Sequence, residues 1–261
     1  MTTMCALCGR LRESQCDGSV ALVADRIGTT ETALDYARAM PFDVAAILFD
    51  IDGTLVDSTP AVERTWRIWA SRHGVDAEAI LLVSHGRRSE DTIADFLPEH
   101  EREAAVAELE VLEHADLDGV LALPGASSLL PLIPRDRWAA VTSGSRSLMR
   151  RRLAAAGLPT PSVLVAADDV SIGKPDPEGY LMAAAALGVD PAACLVVEDA
   201  PAGIAAGRAA GAWVLAVATS HPASALQEAD AVVDDLTHLS ISAAPKGLRV
   251  SLAKRGHSQS R

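Results

Sequence analysis

The stretch that most constrains this chain is Ala45 to Ser58, AAILFDIDGTLVDS, an apolar run that stops abruptly in two aspartates, a glycine and a threonine. Val44 to Phe49 has the pattern of a strand covered on both faces, as in a parallel sheet. Asp50 falls where that strand ends. Side chains alternate along extended backbone, so Asp50 and Asp52 can point to one side while Ile51 points away. Gly53 then lets the chain turn sharply. In open α/β sheets ligands bind outside the carboxyl ends of the strands, which is where chemistry is expected. Two carboxylates so close repel, and their proton affinities separate unless a cation intervenes. An isolated pair of this kind can also be a capped, solvated turn. The whole string suggests a nucleophile, an acid/base group and a metal.

Beyond this stretch, Pro60 to His73 has helical periodicity, and further helical segments run over Ala77 to Val83, Glu90 to Phe96 and Glu99 to His114. No strand pattern interrupts them until about Val120, so residues 59–122 read as a small helical insert. Strand and helix then alternate regularly, which argues for a doubly wound, Rossmann-like parallel sheet. Strands are expected at Trp138–Thr142, Ser162–Ala166, Ala193–Val197 and Trp213–Ala218, with an edge strand at Ala231–Val233. Helices are expected at Gly125–Leu132, Ser145–Ala156, Pro177–Leu187 and Pro201–Ala210. The domain plan is then an N-terminal appendage (1–41), a core (42–58 and 123–240), the insert (59–122) and a C-terminal tail (241–261) whose final fifteen or so residues are basic and expected to fray.

Three of the expected strand ends finish in polar residues suited to one reaction. Val141-Thr142-Ser143-Gly144-Ser145 leads into a helix whose N-terminus can accept an anion, although Ser143 or Ser145 can equally serve as an N-cap. In Gly173-Lys174-Pro175-Asp176-Pro177, proline in the first helical turn and Asp176 as cap fix Lys174 in the preceding loop. Leu195-Val196-Val197-Glu198-Asp199 is a buried strand ending in two acids, which are costly to desolvate without a cation. A hard divalent ion with oxygen ligands answers that cost, and magnesium is its expected identity. Asp50, Asp52, Glu198 and Asp199 would all face an anionic phosphate. A single like-charge pair at 4 Å costs about 4 kcal/mol at an effective dielectric near 20. Lys174 cannot offset four such groups, whereas a divalent cation plus Lys174 comes much closer.

FDIDGTLVDS resembles the first motif of the haloacid-dehalogenase superfamily of phosphotransferases, and GKPDPEGY resembles its third. The resemblance implies Asp50 as nucleophile, Asp52 as acid/base and Lys174 as partner of the nucleophile and the transferring phosphoryl group. It also implies Mg2+ held by Asp50, Glu198, Asp199 and the Asp52 backbone carbonyl. Dehalogenating members lack the acid/base aspartate, so Asp52 argues for phosphate over halide. The helical insert matches the superfamily's small cap, and HGRRSEDTI is similar to the cap loop of glycerol-phosphate and deoxysugar-phosphate phosphatases. Substrate contacts are accordingly expected from Thr54, His85, Gly86, Arg88, Ser143 and Gly144, with Arg146 a further anion contact or a surface residue. The implied function is hydrolysis of a small sugar or polyol phosphate through an aspartyl-phosphate. The alternatives are a phosphosugar mutase of the β-phosphoglucomutase type, whose members carry a lysine where this chain has His85, and a non-catalytic phosphometabolite-binding or scaffold protein.

A formal net charge of −12 argues against a nucleic-acid binder. No apolar run approaches a membrane span, and the N-terminus lacks a signal peptide's apolar segment, so a cytoplasmic enzyme is expected, with a monomer as the default. Cys5, Cys8 and Cys16 crowd the N-terminus, but no histidine precedes His73 to complete a zinc site. Cys194 lies in an apolar run and reads as a core thiol. A helix is expected from Thr30, as N-cap, to Ala39. Met40 stands where a chain of this family ordinarily begins, so the first 39 residues are expected to be an appendage or the product of an upstream start-site error. Deletion of residues 1–39 is therefore expected to leave the thermal transition and phosphate release unchanged; loss of either would show that the segment belongs to the working fold.

Overall fold

A computed structural model describes residues 41–245 and 247–252. The expectations for Thr30–Ala39 and for Cys5, Cys8 and Cys16 lie outside the described residues. Strands β1 (Phe42–Val44), β2 (Ala46–Phe49) and β3 (Val56–Asp57) open the chain. Helices α1 (Thr59–His73), α2 (Ala77–Ser84), α3 (Ser89–Phe96) and α4 (Glu99–Ala115) follow, and β4 (Leu121–Ala122) returns from them. Then come α5 (Ala126–Leu129), β5 (Trp138–Val141), α6 (Arg146–Ala155), β6 (Leu164–Val165), α7 (Glu178–Ala186), β7 (Cys194–Glu198), α8 (Pro201–Ala209), β8 (Trp213–Val217), β9 (Ala231–Val233), β10 (Leu239–Ala244) and β11 (Gly247–Leu252).

Six strands form a parallel sheet in the order β6-β5-β2-β7-β8-β9. Its central strands β2, β5 and β7 are buried along their whole length. That burial is why their sequences are continuous apolar runs instead of alternating ones. One apolar layer packs Ile47, Phe49, Ala140, Leu195 and Val197 against α5 and α6. The opposite layer packs Leu48, Ala139 and Val196 against Tyr180 of α7 and Ile204 of α8. The abundant alanine lets these helices lie close to the sheet. Cys194 is a free thiol buried in that second layer, and burial pushes its pKa up to about 11.

Helices α1 to α4 have a third core of their own around Trp66, Trp69, Ile80, Ile93 and Leu109. The Trp69 indole N–H finds the Ala105 carbonyl at 2.9 Å, so the ring buries without an orphaned donor. The two chain crossings into and out of this helical unit pair as an antiparallel ribbon, Val56 with Ala122 and Asp57 with Leu121. That ribbon sits immediately after Asp52 and Gly53, so the helical unit is tethered beside the carboxyl edge of the sheet.

Two segments differ from the sequence expectation. Val44–Phe49 is not one strand: the chain bends at Ala45, whose N–H bonds the Ala193 carbonyl, and β1 joins a second sheet in the order β1-β11-β10. The expected frayed tail is that sheet's centre through Leu252. Leu248 and Val250 alternate inward with exposed Arg249 between them, a period-two signal masked by the basic composition of the segment. Arg249 pairs with Asp43 through both carboxylate oxygens, at 2.7 and 2.8 Å. Leu248→Ala is expected to cost about 2–5 kcal/mol, the usual price of truncating a buried leucine, read as a lowered denaturation midpoint. An unchanged midpoint would restore the frayed-tail reading.

Candidate active site

Parallel pairing of β2 with β7 sets Phe49 opposite Val197, so the residues that follow, Asp50 and the Glu198–Asp199 pair, emerge side by side at one edge. Asp50 remains in register, its N–H donating to the Val197 carbonyl at 3.0 Å. Side-chain oxygens of Asp50, Glu198 and Asp199 lie within 4.8 Å of one another. All three residues are buried. The chain makes room for them with glycines. A Cβ on Gly203, in the first turn of α8, would overlap the Glu198 carboxylate, and one on Gly53 would overlap Asp199 and Ser220. Gly53 is also at φ +84°, in the left-handed region.

Lys174 enters this acidic centre from the loop before α7. Its ammonium donates to Asp50 Oδ1 at 2.5 Å and to the Val141 carbonyl at 3.2 Å, and lies 2.6 Å from Glu198 Oε1. The Tyr180 hydroxyl donates to the same Glu198 oxygen at 2.7 Å. Burial works against the charge on Lys174, but Asp50 and Glu198 outweigh it and raise its pKa. Lys174 is therefore a fixed cation. Burial pushes Asp50 well above the usual carboxylate range, with Glu198 and Asp199 adding to the shift and Lys174 opposing it. Asp199 is pushed up to about 7, by burial first and then by Glu198, against hydrogen bonds from Ser220 and Thr54 and the Lys174 charge. One ammonium cannot compensate three clustered carboxylates. Their oxygens, desolvated and in excess of cationic charge, are the donor set a hard divalent ion requires.

A cavity opens above this centre. Its walls include Asp50, Asp52, Asp199 and Ser220 from the core, and His85, Gly86 and Arg87 from the helical unit. Gly86, at φ +74°, brings the loop between α2 and α3 so close that a Cβ would crowd Ala200. Its carbonyl accepts the Ser143 hydroxyl at 2.8 Å. The His85 ring meets the His221 ring edge-on at 5.6 Å, and His221 Nδ1 lies 3.1 Å from the Asp199 carbonyl. Burial, aided by His221, lowers the His85 pKa, favouring a neutral ring.

Most residues expected at the site converge on it, but several are placed differently. Thr54 is wholly buried and turns its hydroxyl to Asp199 Oδ1 at 3.2 Å instead of into the cavity. Ser143 lines the cavity with Gly144, though its hydroxyl is engaged by Gly86. Arg88 is not at this cavity. It caps α3, and its fork is taken by Asp91 at 2.7 and 2.9 Å, an i,i+3 pair that the sequence contains within HGRRSEDTI. Arg87 holds the cavity position, anchored by Asp95 at 2.9 Å. Arg146 pairs with Asp169. Asp52 contributes no side-chain oxygen to the acidic cluster; its Oδ2 accepts from Arg152 at 2.6 Å.

Sequence reasoning does not single out Tyr180, Ser220, Arg152 or Glu113, and it gives His221, like the other histidines besides His85, a surface or packing role. A signal existed for Arg152, which shares the buried face of α6 with Leu148, Met149 and Leu153. Ser220 and His221 follow β8 in a loop with no distinguishing pattern.

Residues 44–211 match the family model described as haloacid dehalogenase-like hydrolase. The chain is 44% identical over 205 residues to hexitol phosphatase A of Escherichia coli, covering 77% of this chain and 95% of that protein. It is 38% identical to glycerol-1-phosphate phosphohydrolase 2 of Saccharomyces cerevisiae, covering 73% of this chain and 81% of the yeast protein. Among solved structures it resembles a β-phosphoglucomutase from Clostridium difficile, with a TM-score of 0.67 at 25% identity over 76% of this chain and 93% of that one. With the acidic strand ends, the lysine and the helical insert in their family order, the chain belongs to the haloacid dehalogenase-like hydrolases.

Proposed function

We propose that this hydrolase is a magnesium-dependent phosphatase of small sugar or polyol phosphate monoesters, working through an aspartyl-phosphate. The observation that carries the reading is the placement of Asp50. Its carboxylate is gripped by Lys174 at 2.5 Å, sits beside Glu198 and Asp199, and faces a polar cavity. The names of the relatives, a hexitol phosphatase at 44% identity and a glycerol-phosphate phosphohydrolase at 38%, support phosphate-ester hydrolysis.

Asp50, Glu198 and Asp199 would hold the Mg2+, with the Asp52 carbonyl as a further ligand. When bound there, the cation supplies charge neutralisation for the phosphoryl oxygens. The chain's own residues account for the rest. Asp50 presents an oxygen to phosphorus in line with the ester oxygen, and Lys174 keeps that carboxylate oriented while offsetting charge on the transferring group. Asp52 gives a proton to the departing alkoxide, then takes one from the water that cleaves the aspartyl-phosphate. Residues 59–122 act as the cap. His85 and Arg87 face the non-reacting end of the ester, and a neutral imidazole can both donate to and accept from polyol hydroxyls. The free thiol of Cys194 accords with a reducing, cytoplasmic setting.

A mutase shares the fold, but the named phosphatases are nearer in identity. A panel of hexitol phosphates, glycerol 1-phosphate and 2-deoxyglucose 6-phosphate is expected to release phosphate with Mg2+, to stop with a chelator and to resume on Mg2+ addition. Isomerisation of a hexose 1-phosphate without net release would overturn the phosphatase reading in favour of the mutase. Asp50→Asn is expected to lower turnover by more than about a thousandfold, the scale of losing a nucleophile, with an unchanged circular dichroism spectrum. Substantial residual turnover would remove Asp50 from that role.

A further inference from the structure

Of the four arginines of α6, only Arg152 lies on the buried face, at 3% exposure. Desolvating a guanidinium is costly unless it is paired and hydrogen-bonded. Arg152 has two carboxylate partners from distant parts of the chain. Nη1 donates to Asp52 Oδ2 at 2.6 Å, and Nη2 donates to Oε1 of Glu113, in the last turn of α4, at 3.3 Å. Burial raises the Glu113 pKa, with Arg152 opposing. The triad thus joins core helix, helical unit and acid/base candidate, and all three residues line the cavity above Asp50.

A second observation comes from polar atoms left without partners. Among the described residues three buried side-chain polar atoms lack a hydrogen bond: Asp52 Oδ1, Arg152 Nε and Ser84 Oγ. Each belongs to a residue lining this same cavity. Unpaired buried polar atoms are few in native proteins and call for a reason. Here one Asp52 oxygen is anchored by the guanidinium while the other has no partner.

We propose that Arg152 is the positioning residue for Asp52, and that Glu113 makes this positioning depend on the helical unit being seated on the core. The guanidinium fixes Oδ2, so Oδ1 is the oxygen that carries the proton. As the Asp50–phosphorus bond forms and the phosphorus–ester oxygen bond breaks, that proton passes to the leaving oxygen, and Asp52 remains as the carboxylate that later activates water. Arginine suits the position because its planar fork serves two carboxylates at once, which a lysine ammonium does with less directional control. Glu113 holds the second arm of the fork and limits rotation of the guanidinium. This inference rests on the assignment of Asp52 made above.

The test compares kcat/KM, which reports events through departure of the leaving group, for glycerol 1-phosphate and for 4-nitrophenyl phosphate. The alkoxide of the first needs a proton, whereas nitrophenolate departs without one. Arg152→Met is expected to lower kcat/KM for glycerol 1-phosphate by about a hundredfold, within the range general acid catalysis supplies, and for the aryl ester by far less. Arg152→Lys should recover part of the loss, and Glu113→Gln should show a smaller loss with the same preference. If Arg152→Met does not fold, Arg152→Lys and Glu113→Gln carry the same comparison. Equal losses on both esters, or none on either, overturn the proposal. Wild-type protein inert toward both esters would instead overturn the phosphatase reading, so the two failures are told apart.

Discussion

Three buried carboxylates around one lysine are the constraint on which the rest of this structure depends. Asp50, Glu198 and Asp199 could not be brought together by an arbitrary pairing of elements. Their meeting requires β2 and β7 to be neighbours, parallel and in the register that sets Phe49 opposite Val197. It also requires backbone without side chains at Gly53 and Gly203, where a Cβ would strike the acids. At an effective dielectric near 20, each like-charge pair at about 4 Å costs about 4 kcal/mol. Lys174 and the Tyr180 hydroxyl offset only part of that repulsion, and the raised proton affinities of Asp50 and Asp199 are its signature. The sheet is therefore built to hold an excess of negative charge that a divalent cation would offset.

Elements whose burial is set by their own periodicity were legible in the sequence. The strands β2, β5, β7 and β8 are apolar runs because both faces are covered, and α1 to α4 show helical periodicity because each buries one face in the core around Trp69. The acidic strand ends and Lys174 were legible because each stands at a boundary marked by glycine or proline. Side-chain pairing was not. Arg87 and Arg88 are adjacent and identical, and only the N-cap geometry of α3 decides that Arg88 turns to Asp91 while Arg87 reaches the cavity. Thr54 follows the motif's glycine as expected, yet which way its hydroxyl points depends on Asp199, 145 residues away. The Asp52–Arg152 bond spans 100 residues, and no local pattern can specify it. The C-terminal strand was missed for another reason: it is short and read together with the basic residues that surround it in sequence, whereas the alternation of Leu248 and Val250 is what buries it.

The helical unit carries its own hydrophobic core, distinct from the two that flank the sheet, so its shape does not depend on resting against the sheet domain. It meets the sheet domain through Ala61 of α1, which packs in one of the sheet's core clusters, and through polar and ring contacts. Gly86 accepts from Ser143, Arg88 reaches the Ser171 carbonyl at 3.4 Å, the His85 and His221 rings meet, and Glu113 holds one arm of Arg152. Individual hydrogen bonds of this kind are worth on the order of 1 kcal/mol net. A substrate whose phosphate lies against Asp50 and whose hydroxyls meet His85 and Arg87 would add contacts on both sides of that boundary and favour the seated state. Interactions with the non-reacting end of a substrate can then raise the rate of the chemical step instead of only tightening binding. On the proposed assignment the link is physical: the seating that the sugar or polyol end favours is the arrangement in which Glu113 steadies Arg152, and Arg152 aims the proton of Asp52.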